Sequence, residues 1–298
     1  MKYMFYNCKS LQTLNLGYNL KKLINTDSMF FNCQALYNLN LNNFNIEKVT
    51  NMNSMFENCY KLQTLEIQSF VGEIVSNMSR MFYECNQLES LKLPNFVADN
   101  VKDMSYMFYN CKSLKTLDIT RLQAKRVVYC QYLFYGCESL ETLELNNFET
   151  EKVENMEFMF SNCYNLRSIN VNNAKFTASS SLNMNSMFQN CQSLVNIDLS
   201  GFDSSQVTNL ANMFNNCHSI ASINLNLQIH SNILENMSYM FYRCYSLKSI
   251  KFNSLETSGV KNMSYLFTYC NSLEQVDLEK FTKTNSLKAD EDVMRIIE

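Results

Sequence analysis

One motif recurs along this chain about every 26 residues, and it constrains the fold more than any other feature of the sequence. Its clearest copy is Asn51-Met52-Asn53-Ser54-Met55-Phe56-Glu57-Asn58-Cys59, followed by Leu62, Leu65, Ile67 and Phe70. The Met-Phe or Leu-Phe pair, with a cysteine three residues later, recurs from Met4-Phe5 to Leu266-Phe267. Self-similarity at such a period is typical of repeat architectures, in which each unit packs only on its neighbours. The chain is therefore predicted to be a solenoid.

Each repeat joins two different apolar spacings. From Val49 to Cys59 the apolar residues lie three, three, one and three positions apart, which is the spacing of one helical face. From Leu65 to Ile67 the spacing is two, which indicates a strand. An Asn or Asp precedes the first Met of most copies, as Asn51 does, and these residues are favoured helix N-caps. The sequence predicts an α/β repeat, a leucine-rich-repeat solenoid with a parallel β-sheet on one face and short helical turns on the other.

The second half of the repeat carries a recognisable pattern. Leu-x-x-Leu-x-Leu-x-x-Phe, as in Leu36-Leu39-Leu41-Phe44, is the leucine-rich-repeat pattern. Together with the upstream Asn-Met-x-x-Met-Phe-x-x-Cys, it resembles the BspA-like leucine-rich-repeat family of surface proteins, in eleven copies over about residues 1–282. The resemblance implies a parallel-stranded solenoid and a role in adhesion or contact with a host or neighbouring cell. It carries over no catalytic residue, and the sequence shows neither the secretion signal nor the anchoring segment usual for that family.

The repeats are predicted to form a single solenoid of about eleven units over residues 1–282, with 283–298 as a C-terminal tail or cap. The cysteine spacing widens to 28 residues around 175–181 and to 27 around 228–232, and insertions of this kind are expected to be loops. Met1 aligns with Met52, inside a unit, and an uncapped end exposes an unpaired strand edge. We therefore expect the natural chain to extend upstream, or the first unit to fray or self-associate through that edge.

Eleven of the twelve cysteines occupy one equivalent position in each repeat. Equivalent positions in neighbouring units stack about 4.8 Å apart with their side chains pointing the same way, which is a poor geometry for disulfides. We expect these cysteines, among them Cys59, Cys85 and Cys111, to be buried, reduced thiols that act as small hydrophobes. The twelfth, Cys130, aligns with Met52 and replaces a core methionine.

Composition excludes several function classes. A net charge of −3 and a pI near 5.6 argue against a nucleic-acid binder, and no apolar run approaches the roughly 20 residues of a transmembrane helix. His218 and His230 are the only histidines, and there is no Cys-x-x-Cys pair, phosphate loop or catalytic motif. The sequence predicts no metal, no cofactor and no enzymatic activity.

Two functional hypotheses remain open, and they differ in compartment. The leading one is a non-catalytic binding or adhesion module, at the cell surface or outside the cell, with a protein or glycan ligand. The alternative is an intracellular leucine-rich-repeat scaffold for protein–protein interaction in the cytoplasm. It is favoured by the missing signal peptide and by the expected free thiols, since oxidising compartments favour disulfides. An enzyme that uses an unseen metal is a third possibility.

Two surfaces are candidates for binding. On the sheet face, outward residues form a column that includes Asn40, Glu66, Lys92, Asp118, Glu144, Asn170 and Asp198. This column is either a solvated face or a broad, low-affinity contact that gains strength by repetition. On the outer helical edge, tyrosines three residues apart flank the Met-Phe or Leu-Phe pair at Tyr106, Tyr109, Tyr132, Tyr135, Tyr239 and Tyr242. Their rings either pack between units with the hydroxyls in water or form a ridge that binds a partner.

Overall fold

A computed structural model describes most of the repeat region. The described residues are 1–16, 23–42, 44, 46–67, 73–93, 98–120, 122, 124–146, 148–149, 151–171, 182–199, 204–225, 233–252, 255, 257–276 and 281. The predicted insertions around 175–181 and 228–232 and the tail 283–298 lie outside these residues. The predicted domain boundaries and number of units therefore stay predictions.

Short parallel strands run along one face of the chain. They are β1 (Thr13–Asn15), β2 (Asn38–Asn40), β3 (Thr64–Glu66), β4 (Ser90–Lys92), β5 (Thr116–Asp118), β6 (Thr142–Glu144), β7 (Ser168–Asn170), β9 (Asn196–Asp198), β11 (Ser222–Leu225), β12 (Ser249–Phe252) and β13 (Gln275–Val276). Two further strands, β8 (Leu182–Asn183) and β10 (Val207–Asn209), pair with each other at the capping position of the repeat. The face strands pair in the orders β1-β2-β3, β4-β5, β6-β7 and β9-β11-β12-β13, all parallel. The predicted parallel solenoid is confirmed.

The core is built from the apolar positions of the motif. In the central units the Met-Phe pair, the cysteine and the following leucine are almost completely buried, as Met55, Phe56, Cys59 and Leu62 are. The phenylalanine rings stack from one unit to the next, from Phe5 to Phe267, with centroids 5.2–5.8 Å apart. Because each inner ring is covered on both sides by equivalent rings, one unit is stable only when its neighbours are present.

The predicted short helical turns are wrong, because no described residue lies in a helix. The segment instead makes a series of tight turns in which Ser54 and Asn58 have positive φ, 53° and 63°. The Cys59 N–H donates to the Phe56 carbonyl at 3.1 Å, whereas the Phe56 N–H donates to the Met81 carbonyl of the next unit at 2.9 Å. Alternate amides thus bond between units, which the i→i−4 bonds of an α-helix do not allow. The apolar spacing is nevertheless helix-like, because both structures bring residues three apart to the same side.

The asparagines predicted to cap helices start these turns instead. The Asn51 side-chain oxygen accepts a hydrogen bond from the Asn53 N–H at 2.9 Å, and Asn77 does the same for Ser79 at 2.8 Å. This two-residue bond is an Asx turn. Asn51 also pairs in parallel with Asn25 and Asn77, which forms a second ladder between units. The predicted acceptor role of the side chain is right, but the element that it starts is a turn.

Candidate functional site

The strand face is the outward row of Asn40, Glu66, Lys92, Asp118, Glu144, Asn170 and Asp198 on the parallel strands. These side chains are exposed, except that of Asn170, which is half-buried. The strand register places Asn40 opposite Glu66 and Lys92 opposite Asp118. The residues that the sequence placed in one column are therefore neighbours within each sheet.

Amide side chains hold three of the four carboxylates of the strand face. Asn40 Nδ2 donates to Glu66 Oε2 at 2.5 Å, and Asn170 Nδ2 donates to Glu144 Oε2 at 2.8 Å. A neutral amide orients a carboxylate without cancelling its charge. These bonds therefore fix a row of negative charge along the strands.

A column of exposed residues that directly precede the strands differs, because its charges form ion pairs between units. Lys115 Nζ lies 3.4 Å from Glu89 Oε2, and Arg167 Nε lies 3.9 Å from Glu141 Oε2. All four side chains are exposed by more than half, so these pairs contribute little to stability. Their charges offset each other, which leaves the excess negative charge of this surface on the strand face.

The predicted tyrosines occupy two adjacent columns on the turns rather than one face of a helix. In the first column Tyr106 stacks on Tyr132 at 4.8 Å between centroids, and Tyr132 stacks on Phe158 at 4.9 Å. In the second, Tyr109 stacks on Tyr135 at 4.8 Å. Both columns consist of half-buried rings. Packing between units is therefore observed at these residues, and binding by them stays a prediction.

Two further rings belong to this group, although the pattern of paired tyrosines does not include them. Tyr83 stacks on Tyr109 at 4.6 Å, and Phe158 ends the first column. Tyr83 falls outside the pattern because the residue three positions earlier is Arg80, and Phe158 because it is not a tyrosine. An alignment of every aromatic residue at the two positions includes both. We call Tyr83, Tyr106, Tyr109, Tyr132, Tyr135 and Phe158 the tyrosine cluster.

Arg80 lies against the tyrosine cluster on its N-terminal side. Its guanidinium carbon is 5.0 Å from the centroid of Tyr83 and 5.2 Å from that of Tyr106. The same guanidinium reaches Glu57 at 3.4 Å. A guanidinium at this distance is attracted by the negative face of an aromatic ring, and the carboxylate holds it there.

Three tyrosine hydroxyls of the tyrosine cluster are affected by burial and by nearby carboxylates. Burial raises the pKa of Tyr132 to about 12, and the negative charge of Glu157 adds to this effect. Burial also raises the pKa of Tyr83 and Tyr109, and Glu84 acts on both in the same direction. Each shift disfavours the tyrosinate, so these hydroxyls stay neutral at physiological pH.

Tyr239 and Tyr242 lie in a second, smaller aromatic group. Their rings meet edge to face at 5.5 Å, and Tyr239 stacks on Tyr265 at 4.7 Å. The guanidinium carbon of Arg243 is 5.1 Å from the Tyr242 centroid. The predicted ridge is therefore two groups, because non-aromatic side chains occupy the intervening units.

The cysteines provide packing rather than a reactive site. Cys59, Cys85 and Cys111 are fully buried, as predicted, whereas Cys8 is exposed. The Cys85 thiol donates to the Phe56 carbonyl of the preceding unit at 3.2 Å. Burial raises the pKa of all three buried thiols. Because the thiolate is the nucleophilic form, these groups are chemically inert in the folded chain.

Metal-binding and membrane-spanning features are absent from the described part of the chain. In the described ranges, no three His, Cys, Asp or Glu side chains are placed to hold a metal ion. The same ranges contain no helix with the length and apolar character needed to cross a membrane.

In the first unit Tyr3 and Met4 are each 51% exposed, and self-association through this unit stays a prediction.

Two protein families match parts of the chain. The family DUF285, described as a Mycoplasma protein of unknown function, matches residues 1–117 and 109–227, which together exceed half of the 298 residues. The chain belongs to the DUF285 family. The BspA type leucine rich repeat region matches residues 170–289 of this DUF285 chain. The resemblance to BspA-like leucine-rich repeats, predicted from the motif, is confirmed.

Several solved structures are similar to the DUF285 chain. A leucine-rich repeat protein from Bacteroides ovatus is 16% identical, with a TM-score of 0.44 over 97% of this chain and 77% of that one. A leucine rich cell surface protein from Faecalibacterium prausnitzii is 17% identical, with a TM-score of 0.35 over 87% and 76%. The T. pallidum leucine rich repeat protein is also 17% identical, with a TM-score of 0.44 over 61% and 77%. No curated protein matches this DUF285 chain.

Proposed function

We propose that this DUF285 chain is a non-catalytic protein-binding module that contacts its partner through the strand face. The observation that carries the proposal is the row of exposed carboxylates, three of which are held by amides of neighbouring strands, as Glu66 is held by Asn40. Such a row is pre-organised by the parallel register and repeats along the sheet. Charge arranged in this way contributes to specificity and association rate, and repetition adds avidity.

The partner is a protein with a basic surface. The charged members of the strand face are four carboxylates and Lys92, so the row favours positive charge. It also contains no aromatic ring on which a sugar could stack. A glycan ligand is therefore the alternative outcome of the test below.

Substitution of the carboxylates tests the strand face. One variant carries Glu66→Gln, Asp118→Asn and Glu144→Gln, and a matched control carries Glu73→Gln, Glu151→Gln and Glu154→Gln, which are exposed positions outside the row. Both lose the same charge, so only position differs. Purified proteins are applied to a protein array and a glycan array. We expect the unsubstituted chain and the control variant to bind proteins on the array, and the strand-face variant to lose this binding. Equal loss in both variants, or binding to glycans alone, would contradict the proposal.

We place this module at the cell surface, in contact with a host or neighbouring cell. The BspA type of the repeat supports this. The buried thiols favour the second candidate, an intracellular scaffold, since reducing compartments keep cysteines free. Labelling of intact cells with a membrane-impermeant reagent separates the two. A protein that is labelled only after lysis would be the intracellular scaffold.

A further inference from the structure

The two ends of the tyrosine cluster differ in the residues that cover the last ring. At the N-terminal end, Arg80 covers the rings of Tyr83 and Tyr106 while it pairs with Glu57. This end thus combines a ring face, a carboxylate and a cation from the chain itself.

At the C-terminal end each column of rings is continued by a serine in the next unit. The first column passes from Phe158 to Ser186, and the second passes from Tyr135 to Ser161. Backbone bonds confirm this alignment, because the Phe158 N–H donates to the Asn185 carbonyl at 3.0 Å in the neighbouring unit. Both serines are almost fully buried, at 2% and 1% exposure. They are too small to cover the preceding rings, so the stack ends in a step.

A carboxylate lies next to this step. Glu157 directly precedes Phe158, and its Oε1 accepts a hydrogen bond from Asn185 Nδ2 at 2.9 Å. Its charge contributes to the raised pKa of the neighbouring Tyr132. The C-terminal end therefore also combines a ring with a carboxylate, but it has serines at the aligned positions of the next unit and, among the described residues, no cation from the chain itself.

The same combination occurs elsewhere on this edge. Lys2 Nζ lies 4.7 Å from the Tyr3 centroid and 2.8 Å from Asp27 Oδ2. Arg243 likewise lies against the ring of Tyr242. Tyrosines of this edge thus take cations from their own chain in three different units.

We propose that the C-terminal end of the tyrosine cluster, formed by Tyr135, Phe158 and Glu157, binds an arginine from a basic segment of a partner protein. The planar guanidinium suits a site that combines a ring face with a carboxylate, because it stacks and donates hydrogen bonds at once. A sugar does not suit it, since the rings inside the cluster cover each other and leave only the terminal faces. This surface lies on the turns and is separate from the strand face.

A peptide probe tests the site directly. The probe is an acetylated peptide of alternating glycine and arginine, and the control peptide replaces arginine with citrulline, which is neutral and nearly the same shape. The chain has no tryptophan, so its tyrosine fluorescence reports binding without interference. We expect the citrulline peptide to bind at least about tenfold more weakly, because it lacks the charge.

Three variants locate the binding. Phe158→Leu keeps an apolar side chain but removes the ring, and Glu157→Gln keeps an acceptor for Asn185 but removes the charge. Each should weaken arginine-peptide binding about fivefold, with an unchanged circular dichroism spectrum. Glu73→Gln, at an exposed position outside both the strand face and the tyrosine cluster, removes the same charge as Glu157→Gln and should leave binding unchanged. If Phe158→Leu does not fold, Glu157→Gln alone carries the same expectation.

Three results would overturn the proposal. Equal affinity for the arginine and citrulline peptides would show that no cation is recognised. Equal loss in Glu157→Gln and Glu73→Gln would show a general attraction to an acidic protein. Absence of arginine-peptide binding up to about 5 mM would show that the step is not a site.

Discussion

Replacing Asn58 with glycine and, separately, with alanine tests whether the segment after the Met-Phe pair is a turn or a helix. Asn58 has a φ of 63°, and its N–H donates to the Tyr83 carbonyl at 2.8 Å. That bond uses only the backbone, so both variants keep it. Both also delete the same amide group, so the difference between them reports chiefly the backbone conformation.

The expected difference depends on two opposing terms. An alanine in the left-handed region costs roughly 1–2 kcal/mol because its Cβ approaches the following carbonyl. Glycine avoids this strain but loses about 0.4–1 kcal/mol more conformational entropy on folding. The Asn58→Gly variant should therefore be more stable than Asn58→Ala by about 0.5–1 kcal/mol. In a helix interior the order reverses, and alanine is favoured by about 0.8–1 kcal/mol.

Urea unfolding monitored by far-ultraviolet circular dichroism measures the difference. With a urea slope of about 3 kcal/mol per molar, the midpoint of Asn58→Gly should lie about 0.2–0.3 M above that of Asn58→Ala. The control is the same pair at Lys61, which is exposed and is not among the residues with positive φ. There the alanine variant should be the more stable. If Asn58→Ala is also more stable than Asn58→Gly, the turn assignment is refuted.

Three further predictions concern other parts of the molecule. Gly136 has a φ of 69°, and an added Cβ would meet the Asn110 side chain, so Gly136→Ala should lower stability by about 1–2 kcal/mol in urea unfolding. Adding Asn110→Ala should recover part of this loss, and no recovery would argue against the contact. In maleimide labelling of the native protein, Cys8 should react first and Cys85 only after unfolding. Equal rates would show that the cysteine column is accessible. Because the pKa of Tyr132 is raised to about 12 from its ordinary value near 10, the unfolded chain ionises first, and stability present below pH 10 is lost as the pH rises from 10 to 12. Tyr132→Phe should reduce that loss when urea midpoints at pH 9 and pH 11 are compared, and an unchanged loss would contradict the assignment.

The sequence by itself determined the repeat, the core and the strand face. Equivalent apolar residues of a short repeat can be buried only by stacking on their neighbours, so Phe56 had to meet Phe82, and Cys59 had to be buried. Alternation along the strand then sent Glu66 outward, and the constant period placed it beside Asn40. These inferences need only the spacing of residues within one unit and the fact that the unit recurs.

The tertiary structure alone decided how the backbone turns after each asparagine. A helix and a series of stacked turns bring the same residues to one side, so the apolar spacing cannot distinguish them. The two structures differ in the hydrogen-bond acceptor of each backbone N–H, and the Phe56 N–H donates to the Met81 carbonyl in the next unit. The tyrosine cluster was only partly predictable for the same reason. Phe158 belongs to it, and Arg80 lies against it, because both stack on residues of neighbouring units, and such contacts between units leave no signal in the pattern of a single repeat.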